Sequence, residues 1–214
     1  MININENTKM IKNQNHLGGI CMILSVLFFS LMDVLIKITD EYDVGQVMFS
    51  RAIFGLIPIF FLIPKQRLKN FYKTKYVGLH FYRSFVGAIA MYAIFVGLRN
   101  LELAEVTSMA FSGPIWVVIF SILFLGEKIR MKRWIAVGLG FVGVLIISKP
   151  GFDSLNLYYI YPIIFTLGFA GVSIFIRKLT LVGEPVYLIA FYFSICSAIF
   201  GLFTLPFGGW IMPS

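Results

Sequence analysis

Residues 101–150 read LELAEVTSMAFSGPIWVVIFSILFLGEKIRMKRWIAVGLGFVGVLIISKP, and this stretch decides the fold. From Val106 to Leu125 it is an apolar run of roughly 20 residues, enough to cross a ~30 Å hydrocarbon layer as one helix. Glu102 and Glu105 precede that run. Glu127, Lys128, Arg130, Lys132 and Arg133 follow it, and a second apolar run begins at Trp134. Basic residues in short loops stay on the cytoplasmic side, so the turn of this hairpin is expected inside and its two outer ends outside. Every other span then takes its orientation from this one.

Working outward, the composition agrees. The 214 residues are 59% hydrophobic and only 13% charged, with a mean hydropathy of +0.88. No soluble domain of this size hides so much apolar surface, so the chain reads as an integral membrane protein. A net charge of +8 would suit a nucleic-acid partner if it lay on a soluble face. Instead the basic residues sit at Lys9 and Lys12, between Lys65 and Lys75, between Lys128 and Arg133, and at Arg177-Lys178. These are alternate loops, which is a topology signal and excludes a nucleic-acid role.

Seven apolar spans are expected, at 17–38, 44–64, 76–98, 106–125, 134–147, 157–176 and 186–205. Acids (Asp40, Glu41, Asp43) follow the first and bases follow the second, so the N-terminus is expected in the cytoplasm. Residues 1–16 are polar and Asn-rich and read as a disordered cytoplasmic tail. The all-apolar Trp116-Val117-Val118-Ile119-Phe120 leaves no polar stripe for a water-soluble bundle. The fold class is therefore an all-α polytopic membrane bundle. Cys21 and Cys196 lie inside apolar runs and read as small hydrophobes, with no disulfide or metal site implied.

A weak internal repeat is visible. Laid on the sixth span, the first aligns Phe29 with Phe169, Asp33 with Ser173 and Lys37 with Arg177. An odd offset of five spans turns the second copy upside down, the usual plan of secondary transporters.

Several polar residues within the spans could carry function. Asp33 and Lys37, four apart, share a helix face. An ionised group at a helix centre costs roughly 2.5–3.5 kcal/mol on insertion scales, so both must meet protein or water. Asp33 is either a substrate or proton site, or half of an intrahelical ion pair whose Lys37 snorkels outward. Arg51 and Arg83 could each meet an anionic group on a substrate, or snorkel to the nearer headgroup layer. Pro114, just after Ser112-Gly113, interrupts the fourth span and frees a backbone carbonyl, lining a pathway or only packing. Tyr92, with Tyr82, Phe111 and Trp116, could form an aromatic wall or ordinary core.

Gly138, Gly140 and Gly143 spell a dinucleotide fingerprint, but within a membrane span close helix packing is the expected reading. Gly87, Ala88, Ala90, Gly97 and Gly168 are read the same way. No enzyme constellation is present, and His16 and His80 have no sequence partner, so no catalytic residue and no cofactor is expected.

Arg83 with Gly87, Leu103-Ala104, Pro114, Gly126-Glu127-Lys128, Arg133-Trp134, Gly138 and Gly143-Val144 together resemble the EamA family of the drug/metabolite transporter superfamily. The resemblance covers the first half of the chain and extends weakly into the sixth and seventh spans. It implies two inverted five-helix repeats around a central cavity that opens alternately to each side. Residues 17–150 would be the first repeat and 157–214 an incomplete second one, in the inner (plasma) membrane. Asp33, Lys37, Arg51 and Arg83 look similar to S-adenosylmethionine uptake carriers of that family, although Ser173 departs from the acid expected at its position. The expected activity is carriage of a small metabolite, S-adenosylmethionine or an amino-acid-like compound. Three more spans would complete the family pattern, so a truncated frame, a homodimer or a partner supplying missing helices is also expected.

Overall fold

A computed structural model describes residues 4–39, 41–64, 70–126, 130–148, 156–206 and 210. Parts of the expected loops, among them Lys65, Arg67, Lys69, Glu127, Lys128 and the 149–155 link, lie outside the described residues. The described chain is helical throughout: α1 (Ile4–Ile38), α2 (Val44–Leu62), α3 (Val77–Asn100), α4 (Leu103–Ala110), α5 (Gly113–Leu125), α6 (Met131–Ser148), α7 (Ile160–Leu181) and α8 (Val186–Phe203). Helices suit this sequence because they satisfy every backbone group within the segment, as hydrocarbon requires. Among the described residues six helices are long and apolar enough to span a membrane, α4 and α5 counting as one broken span. The expected fifth span falls on α6, where the described apolar stretch is the shorter Trp134–Gly143.

The chain divides into two units, 1–39 and 40–214. The first is α1. Its backbone is helical from Ile4, so the tail expected to lack structure is the opening of that helix. Glu6, Lys9, Met10 and Lys12 are good helix formers, which offsets the asparagines between them.

In the second unit α3 is the central rod. Of its most apolar 18-residue stretch, 61% is buried, against 28% or less for α2, α4–α5, α7 and α8. It packs along α7 and α8, while α2 lies on α8 and α5 on α7. Small residues permit this. A Cβ on Gly168 of α7 would stand 2.7 Å from the Ala90 Cβ, and one on Gly87 of α3 would stand 3.0 Å from the Phe193 ring. Such approach is how membrane helices gain contact where lipid offers no hydrophobic drive. The glycines of α6 differ from expectation: nothing lies within 4 Å of a Cβ built on Gly138, Gly140 or Gly143. Among the described residues α6 packs mainly on α4 and α5, and its glycine positions lie off those contacts.

Three local devices set the helix ends. Asp43 caps α2 by accepting the Gly45 N–H at 2.8 Å. Pro114 stands in the first turn of α5, where its missing N–H is harmless, and the fourth span breaks at Phe111-Ser112. At the end of α7, Gly183 turns left-handed at φ 80°. There the Glu184 N–H donates to Leu179 O and the Gly183 N–H to Thr180 O. This paired closure reverses the chain into Pro185 and α8.

The contacts also order the rods. Within the second unit, the beginnings of α2, α4 and α7 lie at one end with the finishes of α3 and α8, and the beginnings of α3 and α8 lie at the other with the finish of α7. Thr204 meets Asp43 and Tyr159 meets Glu105 at the first end. His80 and Thr74 meet Glu184 at the second.

Candidate functional site

Between α3 and α8 lies a cavity of about 850 Å3, its described wall made only of those two helices and Asp43 at the head of α2. The volume lies in the usual range for sites that hold a metabolite-sized ligand. The lining is mostly aromatic and aliphatic. Its polar groups are Asp43, Thr204, Ser84, Cys196 and the two tyrosines Tyr92 and Tyr192. Residues four apart on α3 (Val77, Phe81, Phe85) and on α8 (Ile195, Ile199, Phe203) present one face of each helix to it.

Of the residues singled out in the sequence, Tyr92 lies directly on this cavity, its ring 5.8 Å from that of Phe200. Arg83 lies behind the wall. It is 9% exposed, and its guanidinium carbon sits 4.2 Å from the centroid of the Phe193 ring. Among the described residues its Nε and Nη1 have no hydrogen-bond partner. A buried cation held by an aromatic face is costly, which makes such a residue in a membrane helix a candidate for function. Its neighbour Ser84 lines the cavity itself.

Arg51 reaches across from α2 and places Nη1 against the sulfur of Met91 on α3. Ser112 and Pro114 sit at the break between α4 and α5, away from the cavity, and the Ser112 hydroxyl donates to Met109 O at 2.6 Å. Asp33 and Lys37 are half-buried on α1. Tyr92 and the Arg83 neighbourhood are thus brought together, while Arg51, Ser112 and Pro114 stand apart from the cavity.

Sequence reasoning missed two carboxylates. Asp43 was read only as one of the loop acids, yet it closes one end of the cavity. Glu184 joins His80, the histidine without a sequence partner: His80 Nε2 lies 3.4 Å from Glu184 Oε2. The Thr74 hydroxyl donates to Glu184 Oε1 at 2.6 Å. His80 is fully buried and stacks on Tyr192, ring centroids 4.7 Å apart. Tyr192 in turn donates to Tyr72 O at 2.8 Å. The local signal for Asp43 was its place as a cap before an apolar run.

Comparison with known proteins adds the following. Residues 16–149 match the family model described as the EamA-like transporter family. A Helicobacter pylori protein called an uncharacterized transporter is 33% identical over 145 residues, 66% of this chain and 48% of that one. The S-adenosylmethionine uptake transporter of Rickettsia prowazekii is 28% identical over 203 residues, 94% of this chain and 68% of that one. The pseudopaline exporter CntI of Pseudomonas aeruginosa is 28% identical over 179 residues, 82% of this chain and 62% of that one. The chain thus spans between about half and two thirds of the length of these relatives.

Proposed function

The chain belongs to the EamA-like transporter family, and from that premise we propose that it is a multi-pass carrier moving a small metabolite by alternating access. The observation that carries this reading is the cavity of about 850 Å3 between α3 and α8, with polar groups set into an otherwise apolar wall. Two relatives support the substrate class. One is named for S-adenosylmethionine uptake, the other for pseudopaline export. The two names differ in solute and in direction, which leaves the choice of metabolite and the direction of flux to experiment.

In this reading the chain lies in the plasma membrane with its N-terminus in the cytoplasm, as the basic loops favour. Residues 17–150 form a first five-helix repeat, and α7 and α8 open an inverted second one. Tyr92 contacts the substrate. Arg83 supplies positive potential behind the wall for an anionic group. Arg51, Ser112 and Pro114 adjust the neighbouring helices as the cavity changes sides, and Asp33 with Lys37 forms a charged face on α1.

A second reading is favoured by the wall itself, whose described part consists of two helices and one cap. There a second copy or a partner chain supplies further helices. Cross-linking in native membranes, followed by mass, separates the two.

The direct test is uptake of labelled S-adenosylmethionine into vesicles bearing the chain, beside empty vesicles. Accumulation that falls at least tenfold in Tyr92→Ala and Arg83→Met, with folded yield retained, supports the reading. Transport unchanged in both variants removes this cavity from the path.

A further inference from the structure

We propose that Asp43 is a receptor for a fixed positive charge, so that the cavity selects a substrate with an onium or ammonium group on an apolar body. The inference rests on the reading of this cavity as the transport path, and it names the chemistry that path accepts.

The cavity's described lining holds one carboxylate, Asp43, and six aromatic rings: Phe81, Phe85, Tyr92, Tyr192, Phe200 and Phe203. Aromatic faces attract cations and a carboxylate completes the attraction, whereas neither welcomes an anion. The balance of the chain sharpens the point. In a protein of net charge +8, Asp43 forms no ion pair with any described residue.

Its described hydrogen bonds reach one oxygen only. Oδ2 accepts the Gly45 N–H at 2.8 Å. The Thr204 hydroxyl also approaches Oδ2, at 3.2 Å, but lies closer to Gly201 O, at 2.7 Å. A hydroxyl has one hydrogen, so the carboxylate receives at most a share of that bond. No described residue donates to Oδ1. An Asp that only capped α2 would need the Gly45 contact and nothing more.

The placement is also built with care. A Cβ on Gly45 would fall 1.6 Å from Thr204 Oγ1, and one on Gly201 would fall 2.7 Å from Gly45 O. Two glycines therefore let the head of α2 press onto the end of α8, which brings Asp43 to the cavity. Arg83, whose Nε and Nη1 have no described partner, faces Phe193 rather than Asp43.

The test uses the whole chain in nanodiscs of zwitterionic lipid with labelled benzyltrimethylammonium, which carries a permanent charge beside a ring. Benzyl alcohol is its uncharged control. Asp43→Asn isolates the charge, because Asn caps a helix as well as Asp and the fold at α2 is kept. We expect saturable binding of the cation, weakened tenfold or more in Asp43→Asn, with benzyl alcohol bound alike by both. A second readout uses Cys196, which lines the cavity. In a Cys21→Ser background the cation should slow maleimide labelling of Cys196, and Asp43→Asn should abolish that protection.

Equal cation binding by parent and Asp43→Asn overturns the proposal, as does absence of saturable binding by the parent. If S-adenosylmethionine uptake nevertheless proceeds and needs Tyr92, the carrier reading stands and only the charge selectivity falls.

Discussion

The two ends of the bundle each set a carboxylate among hydroxyls and aromatic rings, and they use it in opposite ways. At one end Glu184 is engaged by both oxygens, with the Thr74 hydroxyl on Oε1 and His80 on Oε2. Buried His80 and its stacking partner Tyr192 complete a clasp between the start of α3 and the α7–α8 turn. At the other end Asp43 is engaged through Oδ2 only and faces the cavity. The same functional group becomes a fastener or a receptor according to how many donors reach it. An alternating carrier needs both roles, since each end must hold together while the other admits solute.

The sharpest way to break this comparison is to spoil the close approach that creates the receptor end. A methyl group at Gly201 would meet backbone, Gly45 O at 2.7 Å and Phe49 N at 2.9 Å, and neither atom can swing aside. Gly201→Ala should therefore cost about 3 kcal/mol, the upper part of the range for overpacking. A lower melting temperature in detergent and a reduced monodisperse yield would show it. A variant as stable as the parent would mean that the head of α2 does not bear on α8.

The fastener end should give the next largest effect. Glu184→Ala leaves buried His80 and the Thr74 hydroxyl without their acceptor, a loss of about 2 kcal/mol for stranded polar groups. Glu184→Gln keeps an acceptor for Thr74 and should lose about half as much. Thiol labelling of Thr74→Cys should accelerate in the His80→Ala background but not in Asp43→Asn, because the two ends open separately. Equal acceleration in both would erase the distinction between them.

What the sequence alone made legible follows the reach of local pattern. Apolar run length gave six of the seven expected spans to within about five residues, as with 76–98 against Val77–Asn100, while the fifth is matched only by the shorter Trp134–Gly143. Pro114 announced the break in the fourth span because a proline ring bars the preceding turn from running on as helix, while the proline itself fits the first turn of the next one. Arg83 stood out because a cation is costly in hydrocarbon wherever the neighbours lie. The rest depended on distance along the chain. His80 and Glu184 are separated by 104 positions and Asp43 and Thr204 by 161, and no local period links them. The α6 glycines misled for the complementary reason: spacing permits close packing but says nothing about whether a neighbour is there. Helicity across 4–16 was missed because asparagines were weighed above the helix formers among them.

The smallest predicted effect tests whether the receptor end also has a fastening of its own. Tyr159, in the 3-10 turn that leads into α7, donates to Glu105 Oε1 at 2.7 Å, tying α7 to the first turn of α4. The bond joins a phenol to a carboxylate at a half-buried site, so Tyr159→Phe should cost about 1 kcal/mol. The ring stays, which confines the change to one hydroxyl. Cation binding at Asp43 should be unaltered, because α4 contributes nothing to the described cavity wall. A one- to threefold change in uptake with no change in binding would assign Glu105 and Tyr159 to holding the helices together. A loss of cation binding in Tyr159→Phe would instead show that both carboxylates at this end act on the solute, and the contrast with the Glu184 end would have to be redrawn around a pair rather than a single residue.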